Sequence, residues 1–150
     1  MQPLRYALIG CCLLPMTCAC SDDEPVPIDD TPALVVQRVT NGSFENGIEF
    51  WGLSGDNAAV QVTEGGCEGT HALTLQAEGA YTVELSQTVS GLEDGLYDLE
   101  FYYQNGGGQP ACYVAAGADG QERMTSLHVT PNTWSRSYVR GIRVENGTCP

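Results

Sequence analysis

Lysine is absent from this 150-residue chain, and six arginines face 19 acidic residues. The formal net charge at pH 7 is therefore −13. A field of this sign repels phosphate backbones and anionic lipid headgroups, so we expect no nucleic-acid partner and disfavour a polyanionic polysaccharide. A neutral polysaccharide experiences little of this field, and the charge balance favours such a ligand.

The sequence also lacks sustained helical periodicity beyond the first 33 residues, any Cys-x-x-Cys pair and any Ser-His-Asp arrangement. These absences argue against a helical domain, a zinc site and a serine-type nucleophile. Carboxylates are numerous, so counting alone does not exclude a glycosidase pair. A domain of this size seldom supplies the cleft that such a pair needs, and we expect no catalytic activity in it.

The first 20 residues have the parts of a secretory leader. Arg5 supplies a positive start, residues 6–16 form an apolar run too short for a permanent membrane helix, and Ala19 is the small residue before a cleavage point. Cys20 resembles the lipid-modified first cysteine of mature bacterial lipoproteins. We expect residues 1–19 to be a signal peptide and Cys20 to carry the lipid, which would be the protein's one attachment to the membrane.

An acidic, proline-rich stretch follows the leader. Its first residues, Ser21 to Glu24, resemble the signal that sends lipoproteins of glycan-degrading Gram-negative bacteria to the outer face of the outer membrane, although an ordinary acidic linker is the alternative. Residues 20–33 hold too little apolar surface to fold and are predicted to be an extended linker. The predicted location is the outer membrane, with the protein exposed at the cell surface.

Residues 34–150 form the one predicted domain. Short runs of alternating apolar and polar residues are separated by Gly, Asn and Asp, which is typical of strands joined by tight turns. The pattern predicts an all-β sandwich. The predicted strands are Val35–Val39, Glu49–Gly52, Ala59–Thr63, Ala72–Ala77, Thr82–Val89, Leu96–Gln104, Cys112–Ala116, Met124–Val129 and Trp134–Val144.

The predicted strand Leu96–Gln104 separates its two faces most clearly. One face is apolar or aromatic and should meet the core through Tyr97, Leu99, Phe101 and Tyr103. Tyr102 and Gln104 then lie on the outer face, where an aromatic ring beside an amide suits a sugar. The ring covers the C–H face of a pyranose and the amide bonds its hydroxyls. An exposed strand tyrosine is also common without any function.

Several motifs follow one another along the domain, namely Asn41-Gly42-Ser43-Phe44-Glu45, Gly69-Thr70-His71-Ala72-Leu73, Ser86-Gln87-Thr88-Val89, Pro110-Ala111-Cys112-Tyr113 and Asn146-Gly147-Thr148-Cys149. From Val39 onward this series resembles the galactose-binding-like jelly-roll β-sandwiches. Within that class it is most similar to the family 61 carbohydrate-binding modules of bacterial arabinogalactan endo-β-1,4-galactanases. The resemblance implies non-catalytic binding of β-1,4-galactan, a neutral side chain of pectin.

Beside this resemblance we expect ligand contacts from Tyr102, Gln104, Asn105, Tyr113 and Arg123. Two of these positions depart from the family pattern, which usually has tryptophan where Tyr102 stands and tends to have arginine where Gln104 stands. Affinity or linkage preference is therefore expected to differ from the family's. The two tryptophans, Trp51 and Trp134, are expected to anchor the core.

Glu45 resembles the carboxylate that helps to hold a structural calcium ion in related sandwiches, with backbone oxygens around Thr70 as co-ligands. Calcium takes six to eight oxygens, and one carboxylate is too few to define a site. The family continues beyond the point that matches Pro150, so we expect the sandwich to lack its last strand or strands. Cys67, Cys112 and Cys149 allow one disulfide, whose pairing stays open.

Two alternatives to a galactan-binding lipoprotein stay open. The chain could be the N-terminal part of a secreted endo-galactanase whose catalytic domain lies downstream. It could also be a structural or adhesive lipoprotein whose sandwich contacts protein.

Overall fold

The computed structural model describes residues 12–13, 36–37, 39–117 and 120–149. In this part of the chain the protein is all-β, as predicted, and small antiparallel sheets form a sandwich-like fold. The 3₁₀ turn Asn57–Ala59 precedes the fourth strand. The strands are β1 Cys12–Leu13, β2 Val36–Gln37, β3 Gly52–Gly55, β4 Val60–Glu64, β5 His71–Leu75, β6 Val83–Ser86, β7 Val89–Ser90, β8 Gly95–Tyr103, β9 Tyr113–Ala116, β10 Arg123–Ser126, β11 Ser135–Val144 and β12 Thr148–Cys149.

The longest pair, β8 with β11, organises the fold. Its register runs from Tyr103 opposite Ser135 to Gly95 opposite Val144, with a bulge between Val139 and Ile142. The other antiparallel pairs are β1 with β2, β3 with β6, β4 with β5, β7 with β12 and β9 with β10. The jelly-roll strand order that the resemblance implies stays a prediction.

The core lies on one face of the β8–β11 pair. Phe101 and Tyr103 of β8 are 1% and 5% exposed, and Tyr97 and Leu99 pack against the same cluster, as the alternation predicted. The other buried members of the cluster are Leu92, in the loop before β8, and the strand residues Ala116, Val139, Ile142, Val144 and Cys149. The period-2 pattern of β8 therefore identified the buried face correctly.

The two tryptophans are half-buried and both pack against other side chains. The ring of Trp51 stacks on Phe44 at 5.3 Å between centroids, and its Nε1 donates to the carbonyl of Asn41 at 3.2 Å. Trp134 belongs to a small second cluster around the buried Ala72. Each tryptophan thus packs on one buried residue, Phe44 or Ala72, but neither belongs to the main core cluster in the described part of the chain.

Several predicted strand boundaries were wrong. Glu49 and Phe50 lie in a turn, and β3 begins only at Gly52. The predicted strand Thr82–Val89 is two strands, β6 and β7, because the side chain of Gln87 between them bonds to the backbone of Thr40 and Phe50. The sequence analysis also missed β1 and β12, two-residue strands that are too short for a period to show.

Most of the predicted leader and linker, including Cys20, lies outside the described residues. Within the leader only β1 is described, and it pairs Cys12 with Gln37 and Leu13 with Val36. Cleavage after Ala19 would remove this pairing, so β2 would lose that partner in the mature protein. Among the described residues, no helix is long and apolar enough to cross a bilayer.

Candidate functional site

A pocket of about 360 Å³ opens where the chain leaves β8 and enters β9. Its walls are the loop 105–112, the first residue of β9 and the end of β10 with the segment that follows. Ligand pockets run from roughly 300 to 1,000 Å³, so this one is sized for a small ligand or the end of a larger one. The lining residues are Asn105, Gly107, Gly108, Gln109, Pro110, Ala111, Cys112, Tyr113, Ser126, Leu127, His128 and Val129.

Asn105 organises one wall of this pocket. Its side chain is 0% exposed, with Nδ2 donating to the carbonyl of Leu127 at 2.8 Å and Oδ1 accepting from the N–H of Gly107 at 2.8 Å. Its backbone exchanges two further bonds with Thr130, at 3.0 and 2.8 Å. The prediction that Asn105 contacts the ligand is corrected here, because a fully buried, bonded amide offers no surface to one. Asn105 is a positioning residue.

The contacts of Asn105 also fix the orientation of Gln109. A carbonyl only accepts and a peptide N–H only donates, so Leu127 and Gly107 determine which end of the Asn105 amide is oxygen. Gln109 must then direct its nitrogen at Asn105 Oδ1, and Nε2 donates to it at 2.7 Å. Gln109 Oε1 is left buried, with no hydrogen-bond partner among the residues that the structure describes.

Tyr113 stands at the rim of the pocket with 57% of its surface exposed. It pairs with Ser126 across the β9–β10 hairpin, and cross-strand partners share a face, so the hydroxyl of Ser126 lies beside the tyrosine ring. Val129, which is 61% exposed, adds apolar surface to the same lining. The rim therefore combines one accessible aromatic ring with small polar and apolar groups.

The polar side chains of the lining are amides and a hydroxyl, together with the imidazole of His128 and the thiol of Cys112. No carboxylate, arginine or lysine is among the described residues that line the pocket. His128 was predicted on a strand, but β10 ends at Ser126 and His128 lies in the exposed segment that follows. In a chain of net charge −13, this is a neutral concave surface suited to hydrogen bonding and apolar contact.

The structure places Tyr102 on the other face of β8 and Gln104 just after the end of β8, and neither residue lines this pocket. Tyr102 is half-buried and packs with Cys67, Ala72 and Trp134, and its hydroxyl lies 3.4 Å from Glu100 Oε1. Gln104 lines a separate depression of about 50 Å³ together with Trp134. Because Tyr113 lines the larger pocket and neither Tyr102 nor Gln104 does, the predicted grouping of these three side chains does not occur.

Arg123 begins β10, on the strand that the sequence predicted. It is exposed and stands opposite Ala116, three residues along β9 from Tyr113. An odd offset along a strand reverses the face, so Arg123 and Tyr113 project from opposite faces of the hairpin. Arg123 is therefore not part of the pocket.

Glu45 and Thr70, the candidate calcium ligands, do meet in the structure. However, Glu45 Oε1 accepts the N–H groups of Thr70 and His71 at 2.8 and 2.9 Å, and Oε2 lies 3.0 Å from Nδ1 of His71. The carbonyl of Thr70 accepts from Gly65 at 2.9 Å and Gly66 at 3.3 Å. N–H donors thus occupy the oxygens that a cation would need, and this arrangement does not fit calcium.

The electrostatics of Glu45 follow from the same contacts. Hydrogen bonds from the backbone and side chain of His71 lower the pKa of the Glu45 carboxyl, and the Thr70 N–H adds to the effect. Within the described residues, no group of three or more His, Cys, Asp or Glu side chains is placed to hold a metal ion. Glu45 acts here as a link between two loops 25 residues apart in sequence.

Sequence reasoning missed Gln109, Ser126 and Val129 as members of a site. In the segment from Asn105 to Pro110, which has three successive glycines, only Asn105 was expected to contact a ligand. One signal for Gln109 was present in the sequence, since it lies between glycines and a proline. These residues favour sharp turns, and a sharp turn on either side of an amide can bring it close to other loops. Tyr113 is the predicted contact that does lie in the pocket.

The fold and the pocket together define an all-β domain with a neutral, partly aromatic concave site. Comparison of the chain with protein-family models, with curated proteins and with solved structures found no match.

Proposed function

We propose that this protein binds a neutral glycan, and most specifically a β-1,4-galactan chain, in the pocket between the loop 105–112 and the β9–β10 hairpin, without catalysing its cleavage. The observation that carries the proposal is an exposed tyrosine ring, Tyr113, beside an uncharged set of amide and hydroxyl groups. A pyranose has an apolar C–H face and a rim of hydroxyls, and these two kinds of surface complement the ring and the polar groups.

The electrostatic evidence supports an uncharged ligand. A net charge of −13 repels polyanions over the whole surface, while the pocket itself holds no fixed charge to attract them. This charge would repel pectin backbones and nucleic acids, which are polyanions, but it would not repel an uncharged galactan side chain. The resemblance of the ordered motifs to galactan-binding modules supports the same choice of glycan.

The leader supports a setting for this binding. A lipid on Cys20 would hold the protein on the outer membrane, and the acidic linker 20–33 would carry the domain away from the surface. Single glycan sites of this kind are weak, with dissociation constants from micromolar to millimolar. Many copies on one membrane would raise the effective affinity for a polymer with repeating units.

Replacing the ring of Tyr113 tests the proposal directly. Covering an aromatic ring contributes about 1.5–3 kcal/mol, so Tyr113→Ala is expected to weaken galactan binding by about tenfold to a hundredfold. Isothermal titration of the full chain in detergent micelles against β-1,4-galactan measures this change. Polygalacturonate serves as the charged comparison and is expected to give no binding heat.

Phe50→Ala is the matched control for the titration. Phe50 is 65% exposed and lies outside the pocket, so its truncation removes an equally accessible ring and should leave the affinity unchanged. Absence of binding heat with galactan for the wild type would refute the proposed function. Equal losses in Tyr113→Ala and Phe50→Ala would refute the assignment of the site.

A further inference from the structure

We infer that Gln109 is a specificity-determining acceptor, whose side-chain oxygen Oε1 takes a hydrogen bond from one hydroxyl of the bound sugar. This inference rests on the proposed function and deepens it, because it states what the ligand must offer. The site requires a hydrogen-bond donor at one defined position and rejects a ligand that has lost that donor.

The acceptor is oriented before any ligand arrives. Two backbone groups, the Leu127 carbonyl and the Gly107 N–H, fix the amide of Asn105, which in turn fixes the amide of Gln109. Turning Gln109 by half a turn would bring two oxygens together, Oε1 against Asn105 Oδ1. The protein therefore holds an oxygen, and not an NH₂ group, in the direction away from Asn105.

The unpaired state of this oxygen is the second observation. Gln109 Oε1 is buried and meets no donor among the described residues, although the great majority of buried polar atoms in folded proteins are paired. An acceptor on a pocket wall with no partner among the described residues is the pattern expected where the donor comes from a molecule in the pocket, either a ligand or a bound water. Gln109 is one of the residues that line the pocket, so a donor that enters the pocket reaches the neighbourhood of its side chain.

The glycines next to Gln109 provide the means of access. Gly107 and Gly108 have φ angles of 81° and 95°, a backbone region that glycine adopts freely and other residues rarely adopt. Gly107 also approaches Val129 so closely that an added Cβ would lie 3.3 Å from its side chain. Because Oε1 is itself buried, the inference requires the loop 105–112 to shift when the ligand binds, and the backbone freedom of these glycines permits such a shift.

The consequence is that the ligand must present a hydrogen-bond donor at one position. A C–F group keeps the polarity and approximate size of a hydroxyl but cannot donate a hydrogen bond. Among analogues of a β-1,4-galactobiose probe in which single hydroxyls are replaced by fluorine, one is expected to bind at least tenfold more weakly than the parent. An acceptor left without its donor is the cause of this loss.

The test is a double-mutant type of cycle, in which one change is made in the protein and the other in the ligand. Wild type and Gln109→Met, which has nearly the same shape but no oxygen, are titrated with galactobiose and with each fluoro analogue. The wild type should discriminate against one analogue by at least tenfold, and Gln109→Met should bind that analogue and the parent equally. Gln104→Met, the same change at a glutamine that lines the separate depression beside Trp134, should keep the wild-type discrimination.

A second measurement needs no variant. The ¹³C shift of the Gln109 side-chain carbonyl in the wild type should move on saturation with galactobiose and should not move with the rejected analogue. Galactobiose that fails to bind the wild type at all contradicts the proposed function. Binding with the same discrimination in wild type and Gln109→Met, or an unmoved carbonyl shift, overturns the inference about Gln109 and leaves the proposed function standing.

Discussion

The hydrogen-bond networks around Glu45 and around the Asn105–Gln109 pair are built in the same way, but they differ in whether every side-chain oxygen has a donor. In each, one polar side chain bonds to backbone groups more than 20 residues away and so joins two distant loops. Both Glu45 oxygens meet donors, whereas the Asn105–Gln109 chain ends in an oxygen with no partner in the described structure. A closed network indicates a structural role, and an open one on a pocket wall indicates a place for a ligand.

The largest effect that separates the two regions is expected from Asn105→Ala. This change leaves the Leu127 carbonyl, the Gly107 N–H and the Gln109 NH₂ group without their partner. Unpaired buried groups cost about 1–3 kcal/mol each, so the free energy of unfolding should fall by about 3–5 kcal/mol and galactan binding should be lost. Urea unfolding and titration measure the two losses.

Asn57→Ala is the control for this substitution. Asn57 is an exposed asparagine at the start of the 3₁₀ turn, so its truncation should change the unfolding free energy by less than about 0.5 kcal/mol. A loss below about 1 kcal/mol in Asn105→Ala would mean that the wall does not depend on this side chain. The open network would then have no special place in the fold.

The same contrast explains what the sequence could and could not predict. The faces of β8 were predictable because strand side chains alternate, and Phe101 and Tyr103 are buried as the pattern required. Tyr113 was singled out from the sequence and lies in the pocket lining, while its contact with a ligand stays a prediction. Whether an amide such as Gln109 ends with a free oxygen depends on which backbone groups distant loops bring to it, and no local pattern contains that information.

Two other errors have the same origin. Asn105 was identified as important, but as a ligand contact, because sequence does not reveal that its side chain is fully buried. Glu45 and Thr70 were correctly expected to meet, but Thr70 presents its N–H and not its carbonyl. In both cases the residues come together as expected and the direction of the hydrogen bond decides their role.

A middle-sized effect is expected in the closed network from Gly69→Ala. Gly69 has a φ of 100°, and an added Cβ would lie 2.6 Å from Glu45 Oε1. The methyl group would both strain the backbone and displace the carboxylate, so the unfolding free energy should fall by about 2 kcal/mol while galactan binding at saturation is unchanged. Thermal unfolding with and without galactan measures both quantities.

Gly79→Ala is the matched control, since an added Cβ at Gly79 meets no atom within 4 Å. It is expected to be neutral or slightly stabilising, because alanine restricts the unfolded chain more than glycine does. If Gly69→Ala were equally harmless, the tight approach to Glu45 would not constrain this loop. If it weakened binding as strongly as Asn105→Ala, the division between a structural and a ligand-binding network would be wrong.

The smallest effect is a pH dependence in the closed network. Hydrogen bonds from His71 lower the pKa of Glu45 in the folded protein, so folding favours its charged form. A carboxyl whose pKa is lowered by folding stabilises the protein at pH values above its pKa in the unfolded chain. This stability is lost as the pH falls from that pKa through the lower pKa of the folded protein.

Glu45→Gln keeps an acceptor for the two N–H groups but removes the charge, so it removes this pH-dependent part alone. The difference in unfolding free energy between wild type and Glu45→Gln should therefore be largest near neutral pH and shrink on acidification below the ordinary glutamate range. Chemical denaturation at a series of pH values measures it, with Glu49→Gln, the same change at an exposed carboxylate of the same loop, as the matched control. An equal pH dependence in the two variants would mean that the hydrogen bonds of Glu45 are not its cause. A constant difference for Glu45→Gln would mean that the carboxylate charge does not contribute to closing this network.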